Sequence, residues 1–192
     1  MTNERIIWKN FKNGEKSALS FIYYQHVDAL FNFGMKISSN PDLVKDAMQE
    51  LFYDLIRQKK TLGEVKNIRF YLLKSLRRRI LKSLAKSRKS VDIEDNPEVI
   101  PFDVDYSIEE ELIKNEDKSV RERKLLSALQ KLSPRQKEAI YLRFNCEMEY
   151  DEICEIMDLN YDSARKLVHR SLKSLREVMG EPTRKSILLL IA

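Results

Sequence analysis

Apolar residues recur at helical spacing along most of this chain. The clearest case follows Asn40-Pro41, where two adjoining apolar stripes leave polar residues on the outer side. The stripes are Leu43, Ala47, Leu51 and Leu55, and Val44, Met48, Phe52 and Ile56. Because positions four apart share one face of a helix, this pattern predicts an amphipathic helix. Asn40 suits its cap and Pro41 its first turn.

The flanking stretches are also predicted to be helical. Residues 17–24 and 27–37 carry apolar and aromatic residues at helical spacing, and these are expected in the core, including Phe21, Tyr24, Leu30 and Phe31. A further helix starts near Ile68. Its expected buried side comprises Leu72, Leu73, Leu76, Ile80 and Leu84. Its expected outer side carries Arg69, Lys74, Arg77, Arg78 and Lys82.

The last third of the chain predicts three short helices. Ser133, Pro134 and Gln136 form a cap, first turn and capping box. Ala139, Ile140 and Phe144 supply the apolar side of that helix. A second helix over Tyr150 to Met157 would bury Ile153, Ile156 and Met157. Asp158, Leu159 and Asn160 then form a tight turn, since Asp tolerates left-handed backbone and Asn caps helices.

The third of these helices has two unlike faces. Ala164, Val168, Leu172 and Leu175 form one face, and the opposite face is largely charged. That charged face comprises Asp162, Arg165, Lys166, His169, Arg170 and Lys173. Charge runs usually only solvate a helix. Here the basic face follows a capped turn at helix-turn-helix spacing, so DNA binding is the favoured interpretation.

This stretch resembles region four of bacterial RNA polymerase sigma factors. The matching residues are 132–136, 151–157, 163–166 and 169–171. Two departures stand out, because the family usually has Gly where Asp158 stands and a small capping residue near Glu149. A lone helix-turn-helix also occurs in many regulators, so the rest of the chain must distinguish these classes.

Composition and charge distribution indicate two helical domains. The chain has 192 residues, only 4 Gly and 5 Pro, 34% charged residues and a net charge of +5. Residues 57–89 are densely basic, whereas residues 92–117 are acidic, and Pro97 and Pro101 interrupt the start of this acidic stretch. The sequence therefore predicts an all-α protein with domains at residues 1–90 and 121–180. An acidic linker at 91–120, becoming helical near Ile108, would join them, and a tail would follow at 181–192.

The first half resembles region two of the small, extracytoplasmic-function type of sigma factor. Residues 44–52 match the polymerase-binding helix of that family, and residues 67–77 match its promoter-melting segment. Tyr71 stands where many relatives have Trp, and Arg78 falls where Asn is common. No region-three domain intervenes, which favours the small two-domain group.

The resemblance implies roles for particular residues of the first half. Asp46, Gln49 and Glu50 would contact core RNA polymerase, although a merely solvated polar face is the alternative. The melted non-template strand at the minus-ten element would contact Phe70, Tyr71, Lys74, Arg77 and Arg78. Residues 60–67 would form the base-selecting loop. Phe70 and Tyr71 could equally be core residues, because aromatic side chains bury readily.

The resemblance also implies duplex recognition by the second half. Ser163, Arg165, Lys166, His169 and Arg170 are the candidate contacts to the minus-thirty-five element, through base edges or phosphates. Leu167 stands where relatives often have a polar residue, and it could touch a thymine methyl or pack. The acidic linker would thread into the RNA path of the polymerase, or be a solvated tether.

No catalytic, metal or cofactor motif is expected. His26 and His169 lack a nucleophile motif, and Cys146 and Cys154 lack metal-type spacing and suit reduced cytoplasmic thiols. No signal peptide is evident, and the apolar tail at 187–191 is too short to span a bilayer.

The sequence thus predicts a cytoplasmic, non-enzymatic alternative sigma factor. Its expected partners are core RNA polymerase and promoter DNA, double-stranded and melted. An anti-sigma factor is a further partner class that the resemblance implies and the chain does not identify. The alternatives are a stand-alone helix-turn-helix regulator and a helical interaction protein without sequence-specific DNA binding.

Overall fold

The computed structural model describes residues 4–89, 101–103 and 127–179, and every regular element within these ranges is helical. The predicted all-α fold is thereby confirmed. The chain divides into two compact units, Met1–Glu98 and Val99–Ala192. Most of the predicted linker, its helix near Ile108 and the tail at 181–192 lie outside the described residues. The proposed domain boundaries stay a prediction.

Residues 4–89, the described part of the first unit, form four helices. They are α1 (Glu4–Lys12), α2 (Lys16–Ile37), α3 (Pro41–Gln58) and α4 (Ile68–Lys89). Sequence patterning missed α1, whose Trp8 and Phe11 are buried. The two apolar segments at 17–24 and 27–37 belong to the single helix α2. Its polar midpoint, His26, is itself buried.

The predicted start of α3 is confirmed in detail. Asn40 Oδ1 accepts hydrogen bonds from the amides of Asp42 at 3.0 Å and Leu43 at 3.2 Å, with Pro41 in the first turn. Both apolar stripes face the core, and their buried members are Val44, Ala47, Met48, Leu51, Phe52 and Leu55. Ile56, the last residue of its stripe, lies at the surface and is 44% exposed. The sequence thus predicts the buried face of α3 better than its end.

Gly34 brings three helices into close contact. A Cβ atom at this position would lie 2.5 Å from Val44 Cγ1 on α3 and 3.2 Å from Ile80 Cδ1 on α4. Since an ordinary carbon contact is about 3.5–4.0 Å, α2 can approach its neighbours this closely only without a side chain. The missing methyl group therefore sets the spacing of the unit's core.

Two aromatic residues of α2 were placed wrongly by the pattern. Phe21 and Tyr24 were expected in the core, but 43% and 78% of these residues are exposed. The buried face of α2 runs through Ala18, Ile22, His26, Leu30 and Phe33. Phe21 and Tyr24 lie off that line, because each residue rotates the helix by about 100°. Leu30 is buried as predicted, and Phe31 is half-buried.

In the second unit, the described residues 134–179 form three helices and a π-helical turn. They are α5 (Pro134–Ile140), the π-helix (Tyr141–Asn145), α6 (Tyr150–Met157) and α7 (Tyr161–Met179), preceded by helical residues 127–130. The capping box of α5 is confirmed, since Gln136 N donates to Ser133 Oγ and Ser133 N donates to Gln136 Oε1. The π-helix continues α5 with a wider turn, in which Cys146 N donates to Tyr141 O at 3.0 Å.

A short piece of the predicted linker packs within this second unit. Phe102 is buried, with its ring centroid 5.8 Å from that of Tyr141. Asp103 forms an ion pair of 3.0 Å with Lys137 on α5. Residues 101–103 therefore contribute to the packing of the helix-turn-helix unit.

Candidate nucleic-acid interface

The turn between α6 and α7 has the geometry of a helix-turn-helix. Asp158 ends α6 in the left-handed conformation, with φ 55° and ψ 57°. Leu159 N donates to Cys154 O at 3.0 Å, and Ser163 N donates to Asn160 Oδ1 at 2.8 Å. The predicted roles of Asp158 and Asn160 are confirmed. This turn sets the angle at which α7 leaves α6.

The preceding loop is held by Arg143, which the sequence did not single out. Arg143 Nη1 donates to Met148 O at 2.7 Å and lies 3.1 Å from Glu149 Oε2. Its guanidinium carbon is 5.1 Å from the centroid of the Tyr150 ring. Glu152 also accepts a hydrogen bond from Glu149 N at 3.0 Å. Glu149 thus serves the start of α6, although relatives usually have a smaller residue there.

The two faces of α7 are as predicted. Ala164, Val168 and Leu175 are buried, and Leu172 is half-buried. Ser171 also faces the core, where its hydroxyl donates to Leu167 O at 2.8 Å. All five candidate duplex contacts are exposed, namely Ser163, Arg165, Lys166, His169 and Arg170. Leu167, which stands where the resembled family often has a polar residue, is half-buried.

Five polar and charged residues in the N-terminal half of α7 lie together at the surface. Asp162, Arg165, Lys166, His169 and Arg170 together line an open depression of about 310 Å³. Their side chains can donate to guanine edges and to phosphate oxygens, and Asp162 can accept from a base amino group. A recognition helix uses its N-terminal half for base contacts. The arrangement therefore fits a helix that enters the major groove.

On α4, an exposed basic stripe lies along one side of the helix. Lys74, Arg78 and Lys82 stand four residues apart and are exposed. Lys74 Nζ is 5.6 Å from the centroid of the Phe70 ring, and Phe70 is half-buried. This combination of an aromatic face and successive cations suits a single strand, whose bases stack while its phosphates are neutralised.

Arg77 was expected on the outer side of α4, and this expectation is wrong. Only 7% of Arg77 is exposed. Arg77 follows Leu73 by four residues and precedes Ile80 by three, so it shares the helix face of two fully buried side chains. Arg79 is also engaged within the unit, since its Nη2 lies 2.9 Å from Asp54 Oδ2. Arg78, between them, points outward.

Tyr71 has a packing role. Its ring meets that of Trp8 edge to face, with the centroids 5.3 Å apart, and it is half-buried. Asn67 Oδ1 accepts a hydrogen bond from Phe70 N at 3.0 Å, which caps the start of α4. Phe70 thus lies one turn before the exposed basic stripe and contacts its first member, Lys74, whereas Tyr71 faces α1.

The acidic and polar face of α3 is accessible. Asp46, Gln49 and Glu50 are all exposed, as predicted. Tyr53 extends the same face by one turn and is 63% exposed, with Arg57 located 5.9 Å from its ring centroid. Because the apolar face of α3 is buried in the core, a partner would have to contact its outer polar and aromatic face.

Burial shifts the pKa of two other groups. Burial lowers the pKa of His26 below its ordinary value of 6.5; Glu4 opposes this shift and Arg69 adds to it. Burial raises the pKa of Cys154, and the carboxylates of Asp151 and Glu155 add to the effect. A thiol held protonated in this way is a poor nucleophile and metal ligand.

The described ranges contain neither a metal-ligand cluster nor a membrane-spanning helix. Across residues 4–89, 101–103 and 127–179, no group of three or more His, Cys, Asp or Glu side chains could hold a metal ion. Within the same part of the chain, no helix has the length and apolar character needed to cross a membrane.

Comparisons with known proteins point to one family. Residues 122–175 match the family Sigma-70, region 4. Over 173 residues the chain is 24% identical to the RNA polymerase sigma factor CarQ of Myxococcus xanthus, covering 90% of this chain and 95% of that protein. It is 26% identical over 165 residues to the RNA polymerase sigma factor SigV of Bacillus subtilis (strain 168), covering 86% of this chain and 93% of that protein.

Solved structures share the fold. CnrH, in complex with the cytosolic domain of CnrY, is similar with a TM-score of 0.55 and 15% identity, over 91% of this chain and 96% of that chain. The sigma factor RpoE from Bartonella quintana, crystallised with the anti-sigma factor NepR, is similar with a TM-score of 0.56 and 21% identity. The similarity covers 81% of this chain and 92% of that chain.

The region-four match and the two nearly full-length relatives agree with the geometry of both units. Together they support this chain as an RNA polymerase sigma factor of the extracytoplasmic-function type. It is an alternative sigma factor, and similarity across both units argues against a stand-alone helix-turn-helix regulator. Sigma factors are non-catalytic initiation factors.

Proposed function

We propose that this sigma factor divides promoter recognition between its two units. The α7 surface binds the minus-thirty-five duplex, while α4 and residues 60–67 bind the melted minus-ten strand. Asp46, Gln49 and Glu50 bind core RNA polymerase. The observation that carries the proposal is the exposed charged face of α7, which follows a well-formed helix-turn-helix turn. The chain itself is not an enzyme, because RNA synthesis belongs to the polymerase.

Polymerase binding is tested at the outer face of α3. Changing Asp46, Gln49 and Glu50 together to Ala is expected to weaken association with core RNA polymerase while helicity is preserved, since all three are exposed. A competition assay against the unchanged protein measures the difference. An Arg165→Ala variant serves as the control and should compete normally. Equal competition by the triple variant would refute this interface.

Strand opening is tested at the stripe on α4. A Lys74→Ala/Arg78→Ala variant should bind core polymerase but form less open complex on a double-stranded promoter, because two phosphate-binding cations are lost. Permanganate reactivity of exposed thymines measures opening, and a premelted bubble should restore part of the activity. Lys9→Ala/Lys16→Ala removes the same charge from exposed positions elsewhere in the unit. Normal opening by the α4 variant would contradict the assignment.

Two further features of the proposal follow from the relatives. RpoE from Bartonella quintana was crystallised with an anti-sigma factor. We infer that a protein of this class regulates the present chain, which acts in the cytoplasm where core polymerase is found. Purification of the tagged chain from the cytoplasmic fraction of its native host, with and without core polymerase, tests both statements. A regulator should occur in the fraction that lacks polymerase.

A further inference from the structure

Helix α1 is hydrogen-bonded to the middle of the loop that joins α3 to α4 and to the first residue of α4. Trp8 Nε1 donates to Gly63 O at 2.9 Å, and Lys12 Nζ donates to Leu62 O. Where the loop ends, Glu4 Oε2 accepts a hydrogen bond from the amide of Ile68, the first residue of α4, at 2.8 Å. The partners are separated by 55, 50 and 64 residues along the chain. Three side chains on successive turns of α1 therefore bind the backbone of residues 62–68.

The central one of these contacts is firmly anchored. Trp8 is only 2% exposed, and its ring packs against Phe11 at 5.5 Å and Tyr71 at 5.3 Å between centroids. A buried indole N–H that lost its acceptor would pay its full desolvation cost. The carbonyl of Gly63 is thus held where the core of the unit requires an acceptor. This hydrogen bond restrains the loop backbone at Gly63.

These contacts use the loop's backbone and leave its outer side accessible. Thr61, Gly63, Glu64 and Lys66 are exposed. A Cβ atom at Gly63 would have no neighbour within 4 Å, so the space outside this residue is open. The amides of Thr61 and Leu62 donate to Gln58 O, which fixes the departure from α3. The loop backbone is therefore held by α1 on its inner side, while the residues on its outer side are exposed to solvent.

We propose that α1 is a positioning element for base selection at the minus-ten element. Glu4, Trp8 and Lys12 hold the 60–67 loop in one conformation, so that Thr61, Glu64 and Lys66 face an unstacked base without a further ordering step. The inference rests on the proposed role of this loop in reading the melted strand. Opposite charges on Glu64 and Lys66 can accept from and donate to the edge of a base.

Preorganisation explains why such an element matters for specificity. A mobile loop can adapt to several bases, whereas a fixed loop penalises every base that does not match its donors and acceptors. Loss of the α1 contacts should therefore reduce discrimination between bases more than it reduces polymerase binding. Polymerase binding is assigned to the outer face of α3, which carries none of these hydrogen bonds.

The test compares two variants of α1 in the full-length protein bound to core polymerase. Trp8→Phe/Lys12→Met removes both donors to the loop and retains an aromatic ring and an aliphatic stem. Lys9→Met makes the same Lys-to-Met change at an exposed position of the same helix. Open-complex formation is measured on promoters that carry each of the four bases at every minus-ten position, as duplex and as premelted bubble. Hydrogen exchange reports the loop amides.

The expected result is a loss of base preference at one or more positions by roughly 3- to 10-fold, on both templates. Loop amides should exchange faster, while polymerase affinity should match that of Lys9→Met. A single Lys12→Met variant, which leaves the buried indole in place, should show a smaller change in the same direction. Unchanged base preference in both Trp8→Phe/Lys12→Met and Lys12→Met would overturn the inference.

A second set of variants separates this inference from the role of the loop itself. Thr61→Ala, Glu64→Ala and Lys66→Ala should each alter base preference if the loop reads the strand. If at least one does so while the α1 variants keep normal preference, only the positioning role of α1 fails. If none does so, the proposed reading role of the loop fails, and the inference fails with it.

Discussion

The two basic helices, α4 and α7, use similar sequence composition in different ways. On α7 the basic residues occupy one face opposite a buried stripe, and the predicted contacts are all exposed. On α4 they occur all around the helix. Arg77 is buried, Arg79 pairs with Asp54, and Lys74 lies over the Phe70 ring, so only part of the charge faces outward.

The difference shows that the phase of a charge relative to the apolar stripe decides its role. On α7, Arg165 follows buried Ala164 by one residue, which rotates it by about 100° to the solvent side. On α4, Arg77 falls a full turn from Leu73 and is carried into the core. A basic segment in a sequence thus predicts affinity for DNA only after each residue has been assigned to a face.

The largest expected effect is on the exposed face of α7. Arg165→Ala or Arg170→Ala should weaken binding to the minus-thirty-five duplex by roughly 5- to 150-fold, about 1–3 kcal/mol. If the side chain reads a base, preference at one position should relax; if it binds phosphate, all sequences should weaken together. Titration of holoenzyme on duplexes with single substitutions in this element distinguishes the two. Wild-type affinity and preference in both variants would remove these residues from the interface.

The contrast within α4 is sharpest between adjacent residues. Arg77→Ala should lower the free energy of unfolding by about 1–2 kcal/mol, because a buried side chain loses its packing and its polar contacts. Arg78→Ala should change it by less than about 0.5 kcal/mol and reduce open-complex formation instead. Urea unfolding and permanganate footprinting on both variants check this. Equal stability of the two variants would show that burial of Arg77 contributes nothing.

The turn before α7 offers a stabilising change without a counterpart at α4. Asp158 has a positive φ of 55°, which costs free energy for any residue with a Cβ atom. Asp158→Gly should therefore raise the free energy of unfolding of the second unit by about 0.5–1 kcal/mol, which thermal unfolding would measure. Glu147, with φ 58°, provides a second position of the same kind. Destabilisation by Gly at both positions would show that their side chains contribute more than the strain costs.

The smallest expected effect is a pH dependence confined to the first unit. Burial lowers the folded-state pKa of His26 below 6.5, its ordinary value in an unfolded chain. As the pH falls below about 6.5, the unfolded state takes up a proton that the folded state resists, so stability declines. Above that range the contribution of His26 is constant.

Unfolding between about pH 7.5 and 5 measures this dependence. A His26→Gln variant should flatten the decline, whereas His169→Gln, at an exposed position on α7, should leave it unchanged. Of the groups that act on His26, Glu4 opposes the shift and Arg69 adds to it. An unaltered slope in His26→Gln would assign the decline to other groups.

Sequence reasoning succeeded where the determining residues are close together. The caps formed by Asn40, Ser133 and Asn160 each depend on residues within three positions, so a short motif contains all the information. The same holds for the buried and exposed faces of α7. Region-level function also followed from such local motifs, because the helix-turn-helix is a contiguous segment.

The sequence failed where the determining contacts are distant or where a helix changes phase. The role of Trp8 depends on the carbonyl of Gly63, 55 residues away, and only the spacing of Trp8 and Phe11 hinted at α1. The π-helix inserts a wider turn after Ile140, which no composition marks. The helical spacing of apolar and aromatic residues predicts a core position for Tyr24, although its place on α2 directs it to solvent.

The tight approach at Gly34 has a consequence for how this protein can evolve. Val44 Cγ1 and Ile80 Cδ1 occupy the volume that a methyl group at position 34 would need. A descendant with Ala at position 34 would need smaller side chains at 44 or 80 to remain folded. Among homologous sequences, these three positions are expected to covary, with their summed side-chain volume nearly constant while each identity drifts.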